Sequence, residues 1–160
     1  MLRNYTQLID AASWARPMTK DDAMKLAVDL LWKAFGNKPI SWVGFYIKVA
    51  DADEMVLVCR EPKPACSPIG LHGMCGRSYL TKQSIVVADV RTLGANYIAC
   101  DPKDMSEVVI PMVDQDGTCR GVLDVDSHEL GAFSELDVKP MNRLLQALRL
   151  TRGLSPITRL

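Results

Sequence analysis

The sequence has no excess of charge of either sign: 19 basic residues balance 19 acidic ones, and neither kind gathers into a run. A nucleic-acid-binding surface needs a basic surplus or stripe, so nucleic acid is not an expected partner. Long apolar runs are missing too. The longest stretch free of Asp, Glu, Lys and Arg, from Pro64 to Gly76, is broken by prolines and glycines and reads as a loop, with no membrane association expected. At the N-terminus, Arg3 and Asp10 have no apolar block between or beyond them, so no signal peptide is expected. There is no internal repeat and no C-x-x-C pair, and the two histidines, His72 and His128, lie far apart. Structural zinc prefers short ligand spacings, so no metal site is expected. Five cysteines without a secretory leader imply reduced thiols and a cytoplasmic location.

What remains is the composition of a soluble globular protein, 48% apolar and 24% charged, of a length that suits one domain over residues 1–160. Tyr5, Leu8, Ile9 and Ala12 recur at helical spacing ahead of Pro17. A second helix follows, with Thr19 as N-cap, Met24, Ala27, Leu31 and Phe35 on one stripe, and Gly36 as its stop. From Ser41 the period becomes two. Trp42, Gly44 and Tyr46 share one face, Val43, Phe45 and Ile47 the other. A second strand spans 54–60, a Pro/Gly-rich loop 61–72, a short helix 73–82 and a strand 84–88. The connection from Asp89 to about Ser106 is long enough to be functional. A hairpin pairs 107–113 with 118–126 around Asp116-Gly117. The last helix carries Met141, Leu144, Leu145 and Leu148 on one face, with Pro140 placed in its first turn. This order argues for an α+β fold with a mostly antiparallel sheet.

Three groups of residues carry possible chemistry. Cys66, Cys75 and Cys100 lie in or beside the long loops, where thiols are accessible and reactive; any single free cysteine is more often an inert buried hydrophobe. Cys59 and Cys119 fall inside strand patterns and read as sheet residues. Asp124 and Asp126 share a face of the apolar strand Gly121-Val-Leu-Asp-Val-Asp126, which means either the wet face of an edge strand or a pocket for a cation or a proton. Glu107 starts the partner strand and reaches the same place, unless it is a solvated strand end. Trp42 and Tyr46 are core aromatics or pocket walls, and Gly44 between them leaves room on their face.

In order along the chain, Trp42-Val-Gly-Phe-Tyr46, Lys63-Pro-Ala-Cys66, Gly73-Met-Cys-Gly76, Val87-Ala-Asp-Val90, Ile98-Ala-Cys-Asp101, Ser106-Glu-Val-Val-Ile-Pro111 and Gly121-Val-Leu-Asp-Val-Asp-Ser127 resemble the free methionine-(R)-sulfoxide reductases, whose members are single GAF domains. The sequence departs from that pattern in three places: a loop between Cys66 and Cys75 that is one residue shorter, with Pro68-Ile-Gly-Leu-His72 in it, Asn96-Tyr97 where Gly-His is common, and Val58-Cys-Arg-Glu-Pro62 in place of a Gly-Pro-Phe-type stretch. The resemblance implies that Cys100 attacks the sulfoxide, that Cys66 resolves it, and that Cys75 helps in recycling. It places Glu107, Asp124 and Asp126 around the sulfoxide and the amino-acid head group, with Trp42 and Tyr46 as walls. It also implies free methionine sulfoxide as substrate, thioredoxin as reductant and no cofactor, and it leaves a homodimer open. The competing readings are a GAF small-molecule sensor without catalysis and a thiol-based peroxide sensor.

Overall fold

The computed structural model describes residues 2–160. Helix α1 (Thr6–Ser13) buries Leu8 and Ala12, and α2 (Lys20–Phe35) buries Met24, Ala27 and Leu31, as their spacing predicts. Thr19 caps α2 by accepting a hydrogen bond from the Asp22 amide at 3.1 Å, satisfying a donor the helix leaves open. Gly36 ends α2 for a steric reason. A Cβ there would lie 2.5 Å from the Trp32 carbonyl oxygen, and the left-handed residue is Asn37, with φ of 70°.

The strands are β1 (Trp42–Lys48), β2 (Glu54–Glu61), β3 (Ile69–Gly70), β4 (Ser84–Val87), β5 (Ser106–Val113), β6 (Cys119–Ser127) and β7 (Ile157–Arg159). They form one sheet in the order β3-β2-β1-β6-β5-β4-β7, antiparallel throughout except where β7 runs parallel to β4. The α+β, mostly antiparallel expectation holds. Sequence patterning misses β3 and β7, which are too short to show a period.

Alternation splits the sheet into two faces. Val43, Phe45, Val108, Ile110, Leu123 and Val125 pack in one cluster with α1, α2 and α4 (Glu135–Ala147). Trp42, Tyr46, Ile85, Val109 and Val122 pack in a second cluster with Met74 and Cys75 of α3 (Met74–Thr81). Burial of each cluster is the main stabilising term, at roughly 25 cal/mol per Å² of apolar surface removed from water. Pro140 lies inside α4, not in its first turn. The helix begins earlier than expected because Ser134 and Asp137 form a capping box, with the Ser134 amide donating to Asp137 at 2.9 Å. The box satisfies donors at the helix start, and α4 runs on through Pro140 although proline cannot donate a helical hydrogen bond.

Candidate active site

Strand register brings the acidic residues together. Trp42 of β1 lies opposite Asp126 of β6, which lies opposite Glu107 of β5. The next row in the same face is Gly44, Asp124 and Val109. Because β6 sits between β1 and β5, the edge-strand account of Asp124 and Asp126 is wrong. Glu107 is no solvated strand end either, at 4% exposed, and Asp124 is 8% exposed. Asp126 keeps some exposed surface. One oxygen each of Glu107 and Asp124 is buried without a hydrogen-bond partner, a costly arrangement in a folded core.

Burial is the leading cause that holds all three carboxyl groups protonated to higher pH than usual. Asp124 is pushed up to about 7. Glu107 and Asp126 are raised well above the ordinary range, with the neighbouring carboxylates adding to the effect. Like charges crowded in a dry site disfavour ionisation. Oxygens of the three residues lie within 4.8 Å of one another, a spacing that suits an ammonium group, a metal ion or a shared proton.

The structure joins Cys66 and Cys100 as a disulfide across the mouth of this pocket, with Cα atoms 5.5 Å apart, and both residues are exposed. Cys75 differs from the sequence expectation. It lies in the first turn of α3, 6% exposed, and lines the cavity together with Asp124 and Glu107. Burial first, and then the Asp124 and Glu107 charges, push its thiol well above the ordinary range, so it is not a poised nucleophile. Cys119 is buried in β6 and Cys59 half-buried in β2, as their strand patterns predict.

Trp42 and Tyr46 form a tilted pair, ring centroids 6.1 Å apart, and both use their polar ends on the loop that carries Cys66. The Trp42 indole Nε1 donates to the Lys63 carbonyl at 2.8 Å, and the Tyr46 hydroxyl donates to the Cys66 carbonyl at 2.7 Å. The space expected above Gly44 is filled by the Trp42 ring, which a Cβ on Gly44 would meet at 2.3 Å. The cavity between the acids and the disulfide is small, two adjoining spaces of about 30 Å³ each lined by Tyr46, Tyr97, Ile98, Cys100, Glu107 and Asp124. A larger groove of 320 Å³ lies between α1, α2 and the end of α4. Its lining has no thiol and no carboxylate, so its size does not locate the chemistry.

Sequence reasoning missed four contributors. Tyr97 and Ile98 roof the cavity; the Asn96-Tyr97 departure was the available signal. Asp101 and Asp104 flank the mouth beside His128, whose Nε2 is 3.6 Å from a carboxylate oxygen of each. Asp104 is 7% exposed and is pushed up to about 6, chiefly by burial.

The sheet, the helices on one face and the pocket on the other define the class of the protein. The GAF domain family model matches residues 17–149. The chain is 31% identical over 126 residues to the free methionine-R-sulfoxide reductase of Saccharomyces cerevisiae, covering 76% of this chain and 69% of that protein. Across the curated relatives it matches, the chain spans 64% to 71% of their own length. The fold superposes on the Neisseria meningitidis free methionine-R-sulfoxide reductase in complex with its substrate, with a TM-score of 0.78, 32% identity, and 91% and 83% of the two chains covered. The Staphylococcus aureus fRMsr in complex with substrate gives a TM-score of 0.81 at 28% identity, covering 92% of this chain and 94% of that one. The chain therefore belongs to the free methionine-R-sulfoxide reductase family of GAF domains. No helix among the described residues is long and apolar enough to cross a membrane.

Proposed function

We propose that the protein reduces free methionine (R)-sulfoxide to methionine, using Cys100 as nucleophile and Cys66 as resolving thiol. The observation that carries this reading is the pairing of Cys66 with Cys100, which lines one cavity with Glu107 and Asp124, each of them buried with one oxygen unpartnered. A free amino acid brings the missing partner. Its ammonium group satisfies Asp124 and its neighbours, while the sulfoxide oxygen faces a carboxyl group that still holds a proton at neutral pH.

The sulfoxide sulfur becomes electrophilic once its oxygen is hydrogen-bonded. The Cys100 thiolate attacks that sulfur, and Glu107 or Asp126 supplies the proton the oxygen needs. Methionine leaves and Cys100 is left as a sulfenic acid. The Cys66 thiol then attacks the Cys100 sulfur, forming the disulfide and releasing water. An external dithiol, for which thioredoxin is the proposed source, reduces the disulfide by exchange and restores both thiols. Cys75 stays beside Asp124 during this cycle and takes part in recycling only if the site opens. A cavity with room for a water or two is the closed, oxidised stage, and substrate enters after reduction lets the two cysteine loops part.

The test is NADPH consumption in a thioredoxin-coupled assay with free methionine sulfoxide, on the wild type and on Cys100→Ser. Serine keeps the shape and lacks the nucleophilicity, so the variant should be folded and inactive. Activity retained in folded Cys100→Ser would sink the assignment. Peroxide consumption without sulfoxide turnover would make the protein a redox sensor, and neither activity would make it a binding module.

A further inference from the structure

We infer that the ion pair between Lys63 and Asp101 is a latch that carries Cys66 to Cys100 once methionine has left, and so sets the rate of disulfide closure. The inference rests on the reaction order proposed above.

Lys63 stands three residues before Cys66, and Asp101 directly follows Cys100. The Lys63 Nζ lies 2.6 Å from Asp101 Oδ2. Among the described residues no other ion pair joins the two loops. Both ends are braced. The Lys63 carbonyl is held by the Trp42 indole of β1. The Asp101 side chain accepts from the Lys103 amide at 2.9 Å and faces His128, and it is only 13% exposed. Lys63 holds Asp101 ionised, its carboxyl down at about 2, chiefly through their hydrogen bond, and the Lys103 amide adds to the effect. Neither side chain lines the cavity, so the pair positions the loops without touching substrate.

Two adjoining spaces of about 30 Å³ each do not hold an amino acid, so the loops part for substrate and come together again in each turnover. At the moment of closing, Cys100 is a sulfenic acid and Cys66 a free thiol, and no covalent bond holds the loops. The ion pair is what draws Lys63, and Cys66 behind it, toward Asp101. Closure then forms the sulfur–sulfur bond as the sulfur–oxygen bond of the sulfenic acid breaks, and the oxygen leaves as water with the thiol proton. Raising the local concentration of the attacking thiol accelerates this step alone.

The experiment follows a single turnover by rapid quench. It measures methionine release, alkylation-resistant Cys66–Cys100 disulfide, and Cys100 sulfenic acid trapped by dimedone. Lys63→Gln should slow closure about fivefold, the reach of a partly exposed ion pair, and raise the dimedone adduct, with methionine release unchanged. Lys63→Arg, which keeps the charge, should close at the wild-type rate. High salt should slow the wild type to the rate of Lys63→Gln and leave that variant unaffected. Wild-type closure in Lys63→Gln, or equal slowing in Lys63→Arg, overturns the latch. A parallel series replaces the sulfoxide with hydrogen peroxide, which makes the same sulfenic acid by passing one oxygen to the Cys100 thiolate while the O–O bond breaks and the other oxygen leaves as water. Failure of the wild type to release methionine refutes the proposed reaction, while the peroxide series still decides the latch.

Discussion

Replacing Asp124 by asparagine should do two opposed things: stabilise the fold at mildly alkaline pH and cripple turnover. Asp124 lies on the central strand β6, 8% exposed, with one carboxyl oxygen unpartnered. Its pKa rises from 3.8 to about 7, first through burial. The folded state therefore holds its proton more tightly than the unfolded chain. Below the unfolded value both states are protonated and the group has no effect on stability. Between the two values the unfolded chain ionises and the folded one does not, so stability falls as pH rises through that window and stays low above it. A gap of about three pKa units corresponds to roughly 4 kcal/mol. Asparagine has no such window, but its amide fits poorly beside the Cys75 thiol, a loss of roughly 1–3 kcal/mol. The variant should be more stable than wild type by about 1–3 kcal/mol at pH 8, seen as roughly 3–10 °C in Tm for a domain of this size. At pH 4 it should be equal or less stable. Turnover, as kcat/KM for free methionine sulfoxide, should fall by about 10-fold to 100-fold with the loss of a charged partner for the ammonium group. Thermal melts of the reduced proteins from pH 4 to 8 make the test. Parallel curves for the two proteins would refute the burial argument, and unchanged kcat/KM would remove Asp124 from the site.

One equivalent of substrate without reductant should leave a Cys66–Cys100 disulfide with Cys75 still alkylatable after unfolding; peptide mapping that finds mainly a Cys75–Cys100 bridge would contradict the burial of Cys75. Gly44→Ala should force the Trp42 ring aside, since the added Cβ falls 2.3 Å from it. The expected cost is about 1–3 kcal/mol together with a raised KM, and an unchanged melt with unchanged KM would show that the ring position is unimportant. N-acetylated methionine sulfoxide, sulfoxide within an oxidised protein, and the free S epimer should all be poor substrates. The first two lack the ammonium group and the third turns its sulfur away from Cys100. Comparable turnover of the acetylated compound would defeat the closed-pocket reading.

Local features of the chain were legible where a period or a cap is written into consecutive residues. The stripe Met24, Ala27, Leu31 and the Thr19 cap place α2 correctly, and alternation assigns Trp42 and Tyr46 to one face of β1 and Phe45 to the other. Where the deciding partner is distant, the sequence is silent. Ile157–Arg159 is a strand because it finds β4 across more than 70 residues, and three residues have no period to display. The start of α4 was misplaced because its capping box uses Asp137 in place of the more familiar Glu or Gln. The cysteines and carboxylates of the site could be named from motifs, but their environments could not. Whether Asp124 is wet or dry depends on the order of strands, and whether Cys75 is reactive depends on α3 packing onto the sheet. Lys63 and Asp101 are 38 positions apart and neither looks unusual alone.

The two faces of the sheet explain how such a site persists in a stable fold. On β5, Val108, Ile110 and Met112 turn toward α1, α2 and α4, all fully or almost fully buried. Glu107 turns the other way, beside Val109, toward α3 and the cysteine loops. Alternation thus separates a continuous apolar core from a pocket that holds three crowded carboxyl groups. The core's burial offsets the unfavourable desolvation of the acids, and the rigid sheet keeps them converged when the loops above move. The residues that carry Cys66 meet the sheet in part through single hydrogen bonds, from Trp42 to the Lys63 carbonyl and from Tyr46 to the Cys66 carbonyl, and the proposed cycle needs movement at that place. Fixed acids beneath movable thiols suit a reaction in which a carboxyl group must keep its place while two cysteines first part for substrate and then meet.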